Sequence, residues 1–279
     1  MQLKAALVLV ASLILTACGG ATVVTTSPSP TVTARATPAP LAFPANVAAS
    51  GKLRVALATG DQGVILKDPV SGEPKGAIID IARELARRAN LTFTLVDFAT
   101  YPMMVELMKA GSWDVGIIGR EPAREADLDF APPLIDVDFG YLVRPGAAIR
   151  SAADVDQPGV RVIVRKGTPP DALLTPSLKS AQLVRIDGLQ DIAFEALRAG
   201  NGDVLALSRP ALAVYLDKLP GSTLLTDRFG VSQFSLVVPK GKADLLLPVR
   251  QFSDELRTGD FVAQAIARSG PKGTLPTVR

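Results

Sequence analysis

Histidine is absent from this 279-residue chain, and cysteine occurs once, at Cys18. These two gaps exclude Ser-His-Asp and Cys-His catalysis, His/Cys zinc sites and structural disulfides. Any catalysis would fall to Asp, Glu, Lys, Arg, Tyr or Ser. No clustered Asp-x-Asp-x-Asp pattern supports a calcium or magnesium site, so no metal or cofactor is implied. Aromatic residues make up 5% of the chain against a hydrophobic share of 48%, so the core has to be built mainly from aliphatic side chains. The N-terminal apolar run, Ala5 to Leu15, falls short of the ~20 residues that a membrane span needs. Block charge is missing as well: 30 Lys and Arg are intermixed with 27 Asp and Glu. Nothing is suited to tracking phosphates, and nucleic acid is excluded as a partner.

Lys4 followed by that apolar run has the form of a secretory signal. Its end, Leu15-Thr16-Ala17-Cys18-Gly19, resembles a bacterial lipobox. The resemblance implies cleavage after residue 17, acylation of the Cys18 sulfur and new amine, and an extracytoplasmic protein anchored to a membrane without spanning it. Each buried methylene adds about 0.8 kcal/mol, so several acyl chains hold stably where one would not. Gly19 in place of Asp implies, by the same analogy, no inner-membrane retention signal. The plainer reading is an ordinary secretory signal with an incidental cysteine. Residues 18–50, rich in Thr, Ser, Pro and Ala, with Ser27-Pro28-Ser29-Pro30 and Pro38-Ala39-Pro40 inside, read as a disordered tether. Its reach is roughly 30 Å as a flexible coil and about 90 Å as polyproline II.

From Gly51 short apolar runs alternate with helix-period segments. Strands are expected at Leu53–Leu57, Leu91–Val96, Asp114–Ile118, 160–164, 182–186, 203–207 and Phe234–Val238. Helices are expected at Asp80–Ala89, Met103–Ala110, Pro122–Ala126, near 189–199, 209–218, 242–257 and 260–268. Ser151 to Asp154 has the spacing of a capping box with Asp in place of Glu. Trp113 falls on a core-facing position. The β-α cycle, run through twice with a return at the end, predicts an α/β fold of two lobes with mostly parallel sheets.

Four segments in order carry a resemblance. They are Gly76–Leu85 (GAIIDIAREL), Tyr101–Asp114 (YPMMVELMKAGSWD), Glu121–Pro133 (EPAREADLDFAPP) and Val162–Pro169 (VIVRKGTP). Together they are similar to the bacterial extracellular solute-binding proteins of family 3, which serve ABC importers. The resemblance covers roughly 51–270 and implies a two-lobed periplasmic-binding-protein-like fold of type II. Lobe one would be 51–138 plus 236–270 and lobe two 139–235, with hinges near Asp138–Val143 and Phe234–Val238 and a tail at 271–279. It implies a monomer that is no enzyme. Its partners would be a small solute, a permease with its cytoplasmic ATPase, and a membrane held through Cys18. Arg124, six residues before Phe130, stands where the family grips a ligand carboxylate. A guanidinium suits this task through its planar fork and permanent charge. The alternative is a solvated helix arginine. Tyr101 stands near the expected cleft or merely caps a helix, and Gly167 and Thr168 match a loop that donates to the same carboxylate.

The departures define the ligand expectation. Gly119 stands where the family has Ser or Thr, Pro169 removes a hydroxyl and an N–H, and Asp61 lies where an aromatic segment is missing. Ser208 replaces the Asp that pairs with a ligand ammonium, and a buried ammonium without a carboxylate is costly. The expected solute is a small carboxylate other than a standard amino acid, held by Arg124 with Arg120 or Arg209 assisting. Two other functions share the fold. One is a sensory lipoprotein. The other is a cyclohexadienyl-dehydratase-like enzyme, for which Asp61, Glu73, Glu106 and Glu121 are the available acids.

Overall fold

The computed structural model describes residues 40–60, 65–68, 70–269 and 274–276. Cys18, the signal region, residues 18–39 of the tether, and Asp61 lie outside them. In the first half α1 (Ala45–Ser50) leads into β1 (Lys52–Leu57), a small hairpin of β2 (Leu66–Lys67) and β3 (Pro74–Lys75), α2 (Ala77–Arg88), β4 (Thr92–Asp97), α3 (Tyr101–Lys109) and β5 (Val115–Gly119). A 3-10 turn at Pro122–Ala126 and β6 (Leu128–Phe130) precede the long β7 (Ile135–Val143). Then come α4 (Ala152–Val155), β8 (Arg161–Arg165), α5 (Pro169–Ser177), β9 (Gln182–Ile186), α6 (Gln190–Arg198), β10 (Val204–Ser208) and α7 (Arg209–Lys218). The chain returns through β11 (Thr223–Pro239), α8 (Ala243–Thr258), α9 (Phe261–Ser269) and β12 (Thr274–Pro276).

The main sheet has the order β4-β1-β5-β11-β7-β10-β8-β9, with β6 beside β11 and β12 beside β7. Pairing is parallel within β4-β1-β5 and within β10-β8-β9, and antiparallel where β11 and β7 join the two triplets. The inner strands of each triplet, β1 and β5 in one and β8 and β10 in the other, are buried on both faces, so strand period two sends alternate residues into different cores. In the first half Leu53, Val55 and Leu57 enter a core with α2, α8 and α9, while Ala56 enters the one behind α3 that holds Met104 and Trp113. In the second, Leu205 and Leu207 pack with α6 and α7, and Val204 and Ala206 with α5. β7 and β11 pass from one half to the other. Ile135 and Val137 belong to a first-half core and Tyr141 and Val143 to a second-half one; Leu225 and Leu236 divide likewise on β11.

The halves repeat each other. Glu106–Gly119 (ELMKAGSWDVGIIG) and Glu195–Ser208 (EALRAGNGDVLALS) share Glu, a basic residue, Ala-Gly and Asp-Val at matching positions. Asp114 Oδ2 accepts from Arg54 N at 3.0 Å and Nε at 3.1 Å. Asp203 Oδ2 accepts from Arg161 N at 3.0 Å and Nε at 3.2 Å. Gly111 and Gly200, at φ 63 and 78, close the preceding helices.

The tether expected through residue 50 ends earlier. Leu41 and Val47 are buried in the core packed on α2, and α1 is capped by Gly51 at φ 66. Apolar burial outweighs the Pro/Ala composition there. The tail expected at 271–279 contributes β12, which pairs Thr274 with Val137. The capping box forms as its spacing predicts, with Ser151 N donating to Asp154 Oδ2 at 2.9 Å.

Candidate functional site

A cavity of about 460 Å³ lies at the carboxyl ends of the parallel strands of both halves. Its walls come from residues 98–102 at the start of α3, the end of β5, residues 165–170 from the end of β8 into α5, Asp187, Gly188 and Gln190 between β9 and α6, the end of β10, and the inward faces of β7 and β11. Phe98, Phe139 and Phe234 make much of the wall apolar.

Arg124 lines it from the 3-10 turn. The guanidinium donates from Nη1 to Gly119 O at 2.6 Å and sits 5.1 Å over the Tyr101 ring. Tyr101, the first residue of α3, lines the cavity and donates its hydroxyl to Asp127 Oδ2 at 3.0 Å. Burial, then that hydrogen bond, pushes the phenol up to about 12, against the pull of Arg124. It is a neutral platform for the guanidinium at any physiological pH. Burial also raises the Glu121 carboxyl, with Arg124 working the other way.

Gly167, Thr168, Gly119 and Ser208 also line the cavity. The two loop residues have donors engaged nearby: Gly167 N donates to Asp171 Oδ2 in the first turn of α5 at 3.0 Å, and Thr168 Oγ1 to Arg165 O at 2.7 Å. Ser208 ends β10 and caps α7 without a side-chain hydrogen bond.

Arg120 and Arg209 are not brought into the cavity. Arg120 pairs with Glu125 at 2.8 Å and lies over Phe130. Arg209 donates to Leu225 O at 2.8 Å and Asp227 O at 3.2 Å, packed where Gly140 leaves room. Both were expected to assist Arg124, and both have nearer acceptors. Glu73, Glu106 and Glu121 do not line the cavity either.

Among the lining residues not assigned to the site from the sequence are Gln190, Asp187, Ser232 and Phe234. Gln190, the first residue of α6 and 3% exposed, donates from Nε2 to Gly60 O at 2.9 Å, joining the second half to the loop after β1. Asp187 carries a carboxylate to the wall, 3.7 Å from Lys166 Nζ and largely exposed. Ser232 and Phe234 come from β11. The repeat held a signal for Gln190, which takes the place in α6 that Tyr101 takes in α3.

The profile of the bacterial extracellular solute-binding proteins, family 3, matches residues 53–268. The chain is 25% identical over 184 residues to the ABC transporter glutamine-binding protein GlnH of Bacillus subtilis, covering 64% of this chain and 67% of that protein. It is 23% identical to a glutamine-binding protein of Geobacillus stearothermophilus, covering 61% and 66%. Among solved structures it resembles a solute receptor for L-cysteine of Neisseria gonorrhoeae, at TM-score 0.71 and 23% identity over 82% of this chain and 94% of that one. It also resembles an ancestral amino acid-binding protein described as a precursor of cyclohexadienyl dehydratase, at TM-score 0.69 and 21% identity over 80% and 97%.

Proposed function

The chain belongs to the bacterial extracellular solute-binding proteins of family 3, and from that premise we propose that it is the tethered, extracytoplasmic capture component of an ABC importer. It takes a small organic solute by a carboxylate, requires no α-ammonium group, and performs no chemistry on it. Lobes 51–138 with 236–270, the first extended by 40–50, and 139–235 close over the solute and present it to a permease. Lipidated Cys18 and the segment to residue 39 supply the attachment.

The observation that carries this reading is the placement of Arg124. Its guanidinium stands in the wall of a cavity bounded by both halves, oriented by Gly119 O and backed by Tyr101. The position that would hold an ammonium partner at the end of β10 offers only the Ser208 hydroxyl. A second reading, an α-amino-acid receptor, draws on Asp187 in the wall and on the amino acids named for the relatives.

Calorimetric titration with propionate, succinate and glutarate on one side, and L-glutamine, L-cysteine and L-arginine on the other, separates the two. Binding confined to the amino acids, lost in Asp187→Asn, favours the second reading. Arg124→Ala is expected to abolish detectable binding with little change in the unfolding temperature of the unliganded protein. Arg124→Lys, which keeps charge but not the planar fork, should fall between. Unfolding of Arg124→Ala at ordinary temperature would assign the arginine to structure instead.

A further inference from the structure

Ser232 and Phe234, two apart on β11, share one face of the sheet, and both line the cavity. Ser232 is 3% exposed, and its Oγ has no hydrogen-bond partner among the described residues. A hydroxyl buried without a partner is unfavourable unless something in the functional state satisfies it. Its position is set by a neighbour that has no side chain: a Cβ built on Gly119 would stand 2.2 Å from that oxygen. Gly119 also orients Arg124 through its carbonyl. The hydroxyl and the guanidinium therefore share one corner of the cavity, both set around the last residue of β5.

A contrast comes from the same strand. Ser235 Oγ is equally buried and equally unpartnered, yet Ser235 is not part of the cavity wall. One unpaired hydroxyl adjoins the cationic corner, and the other is simply enclosed.

We infer that Ser232 is a solute-binding residue whose hydroxyl donates to the carboxylate drawn onto Arg124. A hydrogen bond to a charged acceptor is about twice as strong as one between neutral groups, so the hydroxyl is satisfied chiefly in the bound state. Gly119 is glycine here because any side chain would occupy the place of the Ser232 oxygen. This inference rests on the reading of the cavity as the solute site.

The test is calorimetric titration of the full-length chain with propionate, glutarate and L-glutamine. Ser232→Ala should weaken the best-bound of these by about tenfold or more while leaving the unliganded unfolding temperature unchanged or higher. Ser235→Ala should leave affinity unchanged. Gly119→Ser alone should weaken binding, because its side chain meets Ser232 Oγ. Combined with Ser232→Ala it supplies the hydroxyl from β5 instead, its Cβ then 3.5 Å from that of residue 232, and most of the lost affinity should return. Wild-type affinity in Ser232→Ala, or an equal loss in Ser235→Ala, overturns the inference. Arg124→Ala keeps the two levels apart. If it binds a probe as the wild type does, the reading of the cavity fails. If it loses the probe while Ser232→Ala keeps it, only the assignment of Ser232 fails. If none of the three probes binds the wild type, both fall.

Discussion

Tyr101 carries Arg124 on its ring and holds Asp127 by its hydroxyl. That arrangement has a consequence in alkali. Its phenol titrates at about 12 rather than the ordinary 10.0, chiefly through burial. Because the folded value is the higher one, the stabilisation is complete below pH 10.0 and is lost as the pH rises toward about 12. Tyr141, also raised to about 12 by burial, behaves alike. Ultraviolet tyrosinate titration should show late-ionising phenols, with one fewer in Tyr101→Phe; an undiminished late phase in that variant would contradict the assignment. The place of Arg124 in the cavity wall is legible in the sequence because its spacing to Phe130 belongs to a motif. Arg120 and Arg209 were misplaced because residue type says nothing about nearby acceptors. Glu125 takes one, and carbonyls on β11 take the other. Ser232 could not be read at all, since its meaning depends on a glycine on a neighbouring strand.

At the level of elements, the strands expected at Leu91–Val96, Asp114–Ile118, 160–164 and 203–207 each end one residue later in the structure, at Asp97, Gly119, Arg165 and Ser208. The apolar signal stops where the cavity begins. Three of those four residues line it. The resemblance places hinges near Asp138–Val143 on β7 and Phe234–Val238 on β11, while the start of β7 and most of β11 go unread because alternation breaks where strands leave one core for another. The Ala-Gly-x-x-Asp-Val repeat was present in the sequence and unread; each copy makes a helix stop, a turn and a carboxylate that fastens the next strand to its neighbour. Asp203 accepts from Arg161 and, at 2.9 Å, from Arg144 Nε. Burial opposes its ionisation, but the two arginines outweigh burial and hold the carboxyl below its ordinary 3.8. Its stabilisation is therefore present above pH 3.8 and is lost as the pH falls through the depressed folded value. Asp203→Ala should cost about 1.5 kcal/mol in urea denaturation at neutral pH, because the two arginines it releases are more than a third exposed and remain solvated. Asp203→Asn should show a smaller loss, and the deficit of both variants relative to the wild type should shrink as the pH falls below 3.8. A neutral-pH cost within error of zero would remove the clamp from the account of the fold.

For the whole molecule, the two halves are linked by two continuous strands and touch through Gln190 and Gly60. Removing that hydrogen bond in Gln190→Ala should favour a more open arrangement. We expect a larger radius of gyration by small-angle scattering and solute affinity reduced about fivefold, with unfolding cooperativity unchanged. Unaltered scattering and affinity would make the contact incidental. The place of β11 carries a further consequence, for the order of assembly. It lies between β5 and β7 in the sheet, and its residues Leu236 and Val238 pack with Val249 and Phe252 of α8 against strands formed near the start of the chain. A ribosome delivers β1, α2 and β4 early, yet their core stays incomplete until α8 and α9 emerge. The half that is synthesised first is thus the half whose core is completed last.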